Sequence, residues 1–189
     1  MDTRSRILES ALELFYLKGY DGAGVQEIVE LAGIKKPTLY YYFGSKYGLL
    51  ENVLAENYGD FHNELAACAK YEGNLEDNLT RIAKAYFRFS VNNHRFCTMM
   101  LSMMFAAEKS EAYGAVQPIV KDQFNIISDL FLKSKDMVGN MRGRQEQYAV
   151  GFTGLIAYYI TYCSQKNMQP VSDRQVYEIV HQFLHGIYV

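Results

Sequence analysis

Apolar residues recur with a helical period along almost the whole chain. Ile7, Leu8, Ala11, Leu14 and Phe15 share one face of a first helix whose other face is polar. Gly19 predicts its end, because glycine readily takes the left-handed conformation that a helix terminus often needs. Val25, Ile28, Val29 and Ala32 stand at i, i+3, i+4 and i+7 and predict a short second helix closed by Gly33. Pro37 fits the first turn of a third helix, where the missing N–H had no intrahelical acceptor. Leu39 and Phe43 give that segment one narrow apolar stripe. A longer helix starts near Ser45, a suitable N-cap, and carries Leu49, Leu50, Val53, Leu54, Tyr58, Phe61 and Leu65 on one side.

Beyond Gly73 the same period predicts helices over about 75–92, 95–108, 112–136, 143–165 and 173–187. Gly73-Asn74, Asn92-Asn93, Gly139-Asn140 and the run from Asn167 to Pro170 punctuate them, with Ser172 as the last cap. Pro118 is expected to kink or break its segment. No strand alternation, internal repeat or low-complexity tract interrupts the pattern. The fold class is all-α.

Two short helices joined by a glycine-containing turn, with a third bracing them, are the parts of a helix-turn-helix unit. Its second helix, about 37–43, would enter a major groove by its N-terminal end. At about 100° per residue, with Leu39 and Phe43 facing inward, Tyr41 points away from the core, while Tyr40 and Tyr42 lie on the two flanks. Pro37, Thr38 and Tyr41 then face base edges, and Tyr40 and Tyr42 face phosphates.

Charge sharpens this placement. The net charge of the chain is -2, so its total gives no hint of a polyanion partner. Residues 1–50 hold six basic and six acidic side chains, yet every acid lies at or before Glu30. From Leu31 to Leu50 stand Lys35, Lys36 and Lys46 with no acid among them. Lysines that neutralise phosphates release condensed counterions, which supplies sequence-independent affinity. Lys46 also sits in the first turn of the fourth helix, where exposed N–H groups favour anions. Gln26, on the second helix, completes the DNA-facing candidates.

Several motifs fall together here: Arg4…Ile7-Leu8…Ala11…Leu14-Phe15…Gly19-Tyr20, Ile28…Ala32-Gly33-Ile34, Lys36-Pro37-Thr38-Leu39-Tyr40…Phe43 and Lys46…Leu49-Leu50. With them the first 50 residues resemble the DNA-binding domain of the TetR/AcrR family of bacterial transcriptional regulators. The resemblance implies phosphate contacts by Tyr40 and Lys46 and base reading around Thr38 and Tyr41. It also implies a helix-turn-helix head over 1–48 and a helical ligand-binding and dimerisation bundle over 49–189. Two positions depart from the family pattern. Gly24 stands where a serine or threonine usually caps the second helix, and Lys35 stands where a small hydroxyl residue is commoner.

The second part carries no specific motif, but it is rich in aromatic and thioether side chains. Phe61, Tyr86, Met99, Met103, Phe124, Tyr158 and Tyr162 are candidates for an apolar effector pocket, a role for which adaptable methionine is suited. Gly151, Gly154 and Leu155, with Val176, Val180, Phe183 and Ile187, stripe the last two helices and are candidates for a homodimer interface. A dimer would set two recognition helices about 34–36 Å apart, or multiples of that, on a pseudo-palindromic operator. A ligand favouring another separation would release the DNA. The expectation is a ligand-released repressor with an apolar or amphipathic small-molecule effector and no cofactor.

Other chemistries have less support in the sequence. His181 and His185, at i and i+4, are a weak metal candidate, since spacing suggests no third ligand. Cys68, Cys97 and Cys163 form no C-x-x-C pair, and with no leader segment at the N-terminus they point to a reduced, cytoplasmic protein. Cys97 or Cys163 would sense oxidants only if exposed with a lowered pKa. Glu178 and His181 form one Glu-x-x-His, but di-iron helical enzymes use two. No hydrolase elbow, phosphate loop or dinucleotide fingerprint is present. The uncharged stretch from Gln147 to Gln165 contains glycines, hydroxyl residues and glutamines, which fits a buried or interface helix better than a membrane span.

Overall fold

The computed structural model describes residues 2–136, 141, 143–166 and 170–186. Among the described residues there are nine helices and no strand. These are α1 (Thr3–Gly22), α2 (Val25–Leu31), α3 (Lys36–Phe43), α4 (Lys46–Cys68), α5 (Leu75–Asn92), α6 (His94–Met104), α7 (Glu111–Lys133), α8 (Gln145–Gln165) and α9 (Asp173–His185). The Gly139-Asn140 turn, Asn167 and Ile187 lie outside the described residues. No described helix is long and apolar enough to cross a membrane.

Local chemistry sets the helix ends. Asp2 caps α1 by accepting the Ser5 N–H at 2.7 Å. Gly19 breaks α1 with φ 72, and the helix resumes for a last short turn to Gly22. Gly33, at φ 63, closes α2 in a Schellman arrangement, its N–H donating to Glu30 O and the Ile34 N–H to Val29 O. Ser45 caps α4 through the Gly48 N–H at 2.9 Å. Ser172 and Gln175 form a reciprocal capping box at the start of α9. Pro118, expected to kink or break its segment, stands inside α7, which continues from Glu111 to Lys133. The missing N–H removes one rung, and the remaining turns on both sides keep the helix.

The chain forms two compact units, residues 1–59 with 93–120 and residues 60–92 with 121–189. Two of their boundaries fall within α4 and α7, and the third lies between α5 and α6. The first unit is built on Ile7, Ala11, Phe15, Ile28, Leu39, Leu49, Leu50 and Val53, all buried. Apart from Ala11, each such side chain contributes roughly 1.5–3 kcal/mol of hydrophobic stabilisation. Helix α6 packs along α1, and Arg95 there pairs with Glu9 at 2.6 Å and Glu13 at 2.5 Å.

In the second unit α5 packs against α8 and α9. Leu79, Ile82, Phe131, Phe152, Ile156 and Val180 form its core. Asn78 is fully buried, and its amide donates to the carbonyls of Cys68 and Lys70 at 2.8 Å each. One side chain thereby satisfies two carbonyls that the end of α4 leaves open. Lys84 and Glu76 on α5 pair with Asp173 and His181 on α9, so these two helices run antiparallel.

Candidate nucleic-acid interface

The recognition helix α3 obeys the phase predicted from its sequence. Leu39 is 0% exposed and Phe43 7%, whereas Tyr41 is 84% exposed and Tyr40 and Tyr42 are 46% and 43% exposed. The rings of Tyr41 and Tyr42 meet edge to face with centroids 5.4 Å apart. Tyr42 also lies against Phe43 at 6.0 Å, so it is both a packing and a surface residue. Lys35, Lys36 and Pro37 are exposed and Thr38 is half-buried. Lys35 is the extended N-cap residue of α3, so both lysines stand at the positive end of the helix dipole.

Gln26 is exposed on α2, with its amide on Glu30 at 2.6 Å. At Gly24, where a capping hydroxyl was missing, the cap is made from the other side. The Glu27 carboxylate accepts the Gly24 N–H at 3.1 Å and is also bonded to Lys18. Those two contacts, Lys18 first, hold the Glu27 carboxyl below its usual value.

Lys46 is less free than its sequence position implies. It is half-buried with Nζ 4.3 Å above the Tyr20 ring, and the Tyr20 hydroxyl donates to Glu111. Burial lowers the Lys46 pKa, while Asp21 and Glu111 act in the opposite direction. Burial and the Glu111 bond both raise that of Tyr20. Sequence reasoning missed Tyr20 and Glu111 as partners of Lys46. Tyr20 and Glu111 are 91 residues apart, and no periodic pattern links them.

The structure distributes the other candidates differently. Met99 and Met103 are buried in the first unit. In the second unit Phe61 is buried, stacked on Phe89 at 4.2 Å and edge-on to Tyr86 at 4.9 Å. The Tyr86 hydroxyl donates to Gln123 at 2.9 Å, and Phe124 is half-buried. Tyr158 and Tyr162 stand on the surface, 72% and 43% exposed. They share the outer face of α8 with Val150, Gly151 and Gly154, while Leu155 is half-buried. Val176 and Val180, 1% and 0% exposed, belong to the chain's own core. Phe183 packs there against Phe152 at 5.4 Å. An apolar stripe on a helix does not say which neighbour covers it, and here it is covered from within the chain.

Grooves open among the described residues of the second unit. One, of about 380 Å³, is lined by Phe87, Val91, Pro170 and Val176 with Lys84 and Arg88. Another, of about 260 Å³, includes Tyr162, Cys163 and Ile179. Lys84 is paired with Asp173 and Arg88 with Glu64. Burial pushes the thiols of Cys97 and Cys68 up, which opposes thiolate chemistry at both. Glu178 pairs with Arg174 at 2.9 Å, and His181 turns to Glu76 at 3.1 Å, so the Glu-x-x-His pair is not assembled.

Comparison with known proteins agrees with the head. Residues 7–53 match the profile of the bacterial regulatory proteins, tetR family. The tetR-family match covers the head alone. The chain is 28% identical over 131 residues to the HTH-type transcriptional repressor NicS of Pseudomonas putida. That stretch is 63% of this chain and 62% of NicS, less than two thirds of the relative. Its fold is that of the fatty acid degradation regulator FadR from Bacillus halodurans, with TM-score 0.82, 17% identity and coverage of 99% and 97% of the two chains. It also matches FadR from Bacillus subtilis, solved in complex with stearoyl-CoA, with TM-score 0.79 and 18% identity, covering 97% of this chain and 99% of that one.

Proposed function

We propose that this chain is a homodimeric transcriptional repressor that binds a pseudo-palindromic DNA operator and releases it on binding an amphipathic small molecule. The observation that carries this reading is the outer face of α3. Tyr41 is fully presented, two tyrosines flank it, Lys35 and Lys36 stand at its start, and residues 31–50 contain no acid. Tyr41 with Pro37 and Thr38 would meet base edges, and Tyr40, Tyr42, Lys35, Lys36 and Lys46 the phosphates. Gln26 would approach the backbone from α2.

From Val150 onward the outer face of α8, with Gly151, Gly154, Tyr158 and Tyr162, carries no charge and supports a dimer interface. Aromatic side chains beside small residues combine close approach with large contact area. For the effector, the aromatic side chains and grooves of the second unit support an apolar or amphipathic ligand. Stearoyl-CoA, bound by the FadR neighbour, is the first compound to try. Because α4 and α7 each belong to both units, effector occupancy can bias the head along continuous helices.

Selection of genomic DNA fragments by the purified protein would yield the operator. Anisotropy titrations across salt, with and without stearoyl-CoA and free fatty acids, then test binding and release. Failure to enrich any fragment above a non-specific level would reject the regulatory reading. Enrichment without release by any amphipath would reject only the effector class.

A further inference from the structure

We propose that Glu76, His181 and His185 form a binding site for one divalent transition-metal ion, with zinc the best-fitting occupant. His181 and His185 stand one turn apart on α9, so both imidazoles leave the same helical face. Their ring centroids are 4.3 Å apart. Glu76 comes from the first turn of α5, 105 residues earlier, and its Oε1 lies 3.1 Å from His181 Nδ1. One ligand atom from each of the three residues can be chosen so that all lie within 4.8 Å of one another. This carboxylate is the third ligand that spacing alone did not suggest.

The geometry and the donor set both point to zinc-like chemistry. Bonds of about 2.0–2.2 Å in a tetrahedral site hold ligand atoms about 3.3 Å apart. The His181–Glu76 separation is already near that value, and the exposed His185 ring can close the remainder by a rotamer adjustment. Two imidazoles and one carboxylate leave a fourth position for water. Imidazole donors suit zinc, nickel and cobalt, whereas magnesium and calcium prefer oxygen ligands throughout.

The surroundings hold the ligands in place. Tyr177 stacks on the His181 ring with centroids 5.6 Å apart and planes 21° from parallel. The Lys84–Asp173 pair, at 2.6 Å, fixes the register of α5 against α9 farther along. A bound ion would clip the start of α5 to the end of α9 within the second unit. Without an ion, the His181–Glu76 hydrogen bond is the contact that joins these two ends.

The test uses the full chain without an affinity tag, stripped with EDTA and dialysed. Co²⁺ is titrated by its visible absorption and Zn²⁺ by calorimetry and by displacement of Co²⁺. One ion per chain is expected. His181→Ala, His185→Ala and Glu76→Gln should each weaken binding at least about tenfold, as much as or more than loss of a residue that merely orients a ligand. His62→Ala removes an imidazole paired with Asp122 at 2.7 Å elsewhere in the second unit and should leave binding unchanged. Circular dichroism confirms that each variant folds. Binding only far above stoichiometric metal would overturn the site. So would equal loss in His62→Ala, or no loss in the three ligand variants. None of these outcomes bears on DNA recognition, so the two readings fail independently.

Discussion

The Tyr20 hydroxyl donates to Glu111, and the Lys46 ammonium lies 4.3 Å above the same Tyr20 ring. A lysine placed to meet a phosphate is therefore held between an aromatic face and two nearby carboxylates, Asp21 and Glu111. Lys46→Ala should weaken binding to all DNA sequences alike and reduce the salt slope by about one. Glu111→Gln removes a competing anion and should tighten binding to all sequences by about two- to tenfold, on the scale of a screened interaction of about 1 kcal/mol. Anisotropy titrations at several salt concentrations measure both. Unchanged affinity and slope in Lys46→Ala would remove Lys46 from the interface.

Tyr41 should behave differently. At 84% exposure it contributes little to the protomer, so Tyr41→Ala should leave stability within about 0.5 kcal/mol. Its effect should instead appear as altered preference at one or two operator positions, worth about 1–3 kcal/mol per contact. Competition binding against a library of single-base operator variants reads this. A uniform loss across the library would make Tyr41 a phosphate contact.

The contrast between these residues marks what the sequence could tell. The directions of Leu39, Phe43 and Tyr41 follow from helical phase alone, because all lie within eight residues of one helix. The caps at Ser45 and Ser172 were legible for the same local reason. Glu111 beside Tyr20 and Glu76 beside His181 were not, since only tertiary packing brings such distant residues together. Val176 and Val180 show a third limit. Their apolar period was plain, but whether the protomer or a partner covers such a stripe is a property of the fold.

Gly48 offers a test of the junction between α3 and α4. A Cβ built there would stand 2.2 Å from the Phe43 carbonyl oxygen, which is backbone and cannot rotate away. Gly48→Ala should therefore displace the end of the recognition helix and destabilise the head by roughly 1–3 kcal/mol, as overpacking does. Thermal unfolding followed by circular dichroism should show the loss. Operator affinity should fall as well, because α3 is re-aimed. Wild-type melting in the alanine variant would show that the junction relaxes without cost.

Glu27 gives the head an acid-side pH dependence. Lys18 and the Gly24 N–H hold its carboxyl below the ordinary 4.5. A depressed folded-state pKa contributes stability that is present above 4.5 and lost as pH falls through the lower folded value. Glu27→Gln cannot titrate and keeps no charge for Lys18. The melting-temperature gap between wild type and variant should thus be largest near neutrality and close below pH 4.5. A gap independent of pH would assign the effect to hydrogen-bond geometry instead.

The dimer proposal can be tested at Gly154 without disturbing the protomer. No atom lies within 4 Å of a Cβ built at that position, and the residue is exposed on α8. Gly154→Arg should leave the isolated fold intact and even favour the helix by up to about 1 kcal/mol, since glycine is the weaker helix former. In an interface built on close approach at Val150, Gly151, Gly154 and Tyr158, the same arginine would place an unpaired charge between the subunits, where desolvation costs several kcal/mol. Sedimentation equilibrium should then show a monomer with unchanged circular dichroism. Affinity for a full operator should drop to that of a half-site, because only one recognition helix can engage at a time. A variant that remains dimeric would place the interface away from this face of α8.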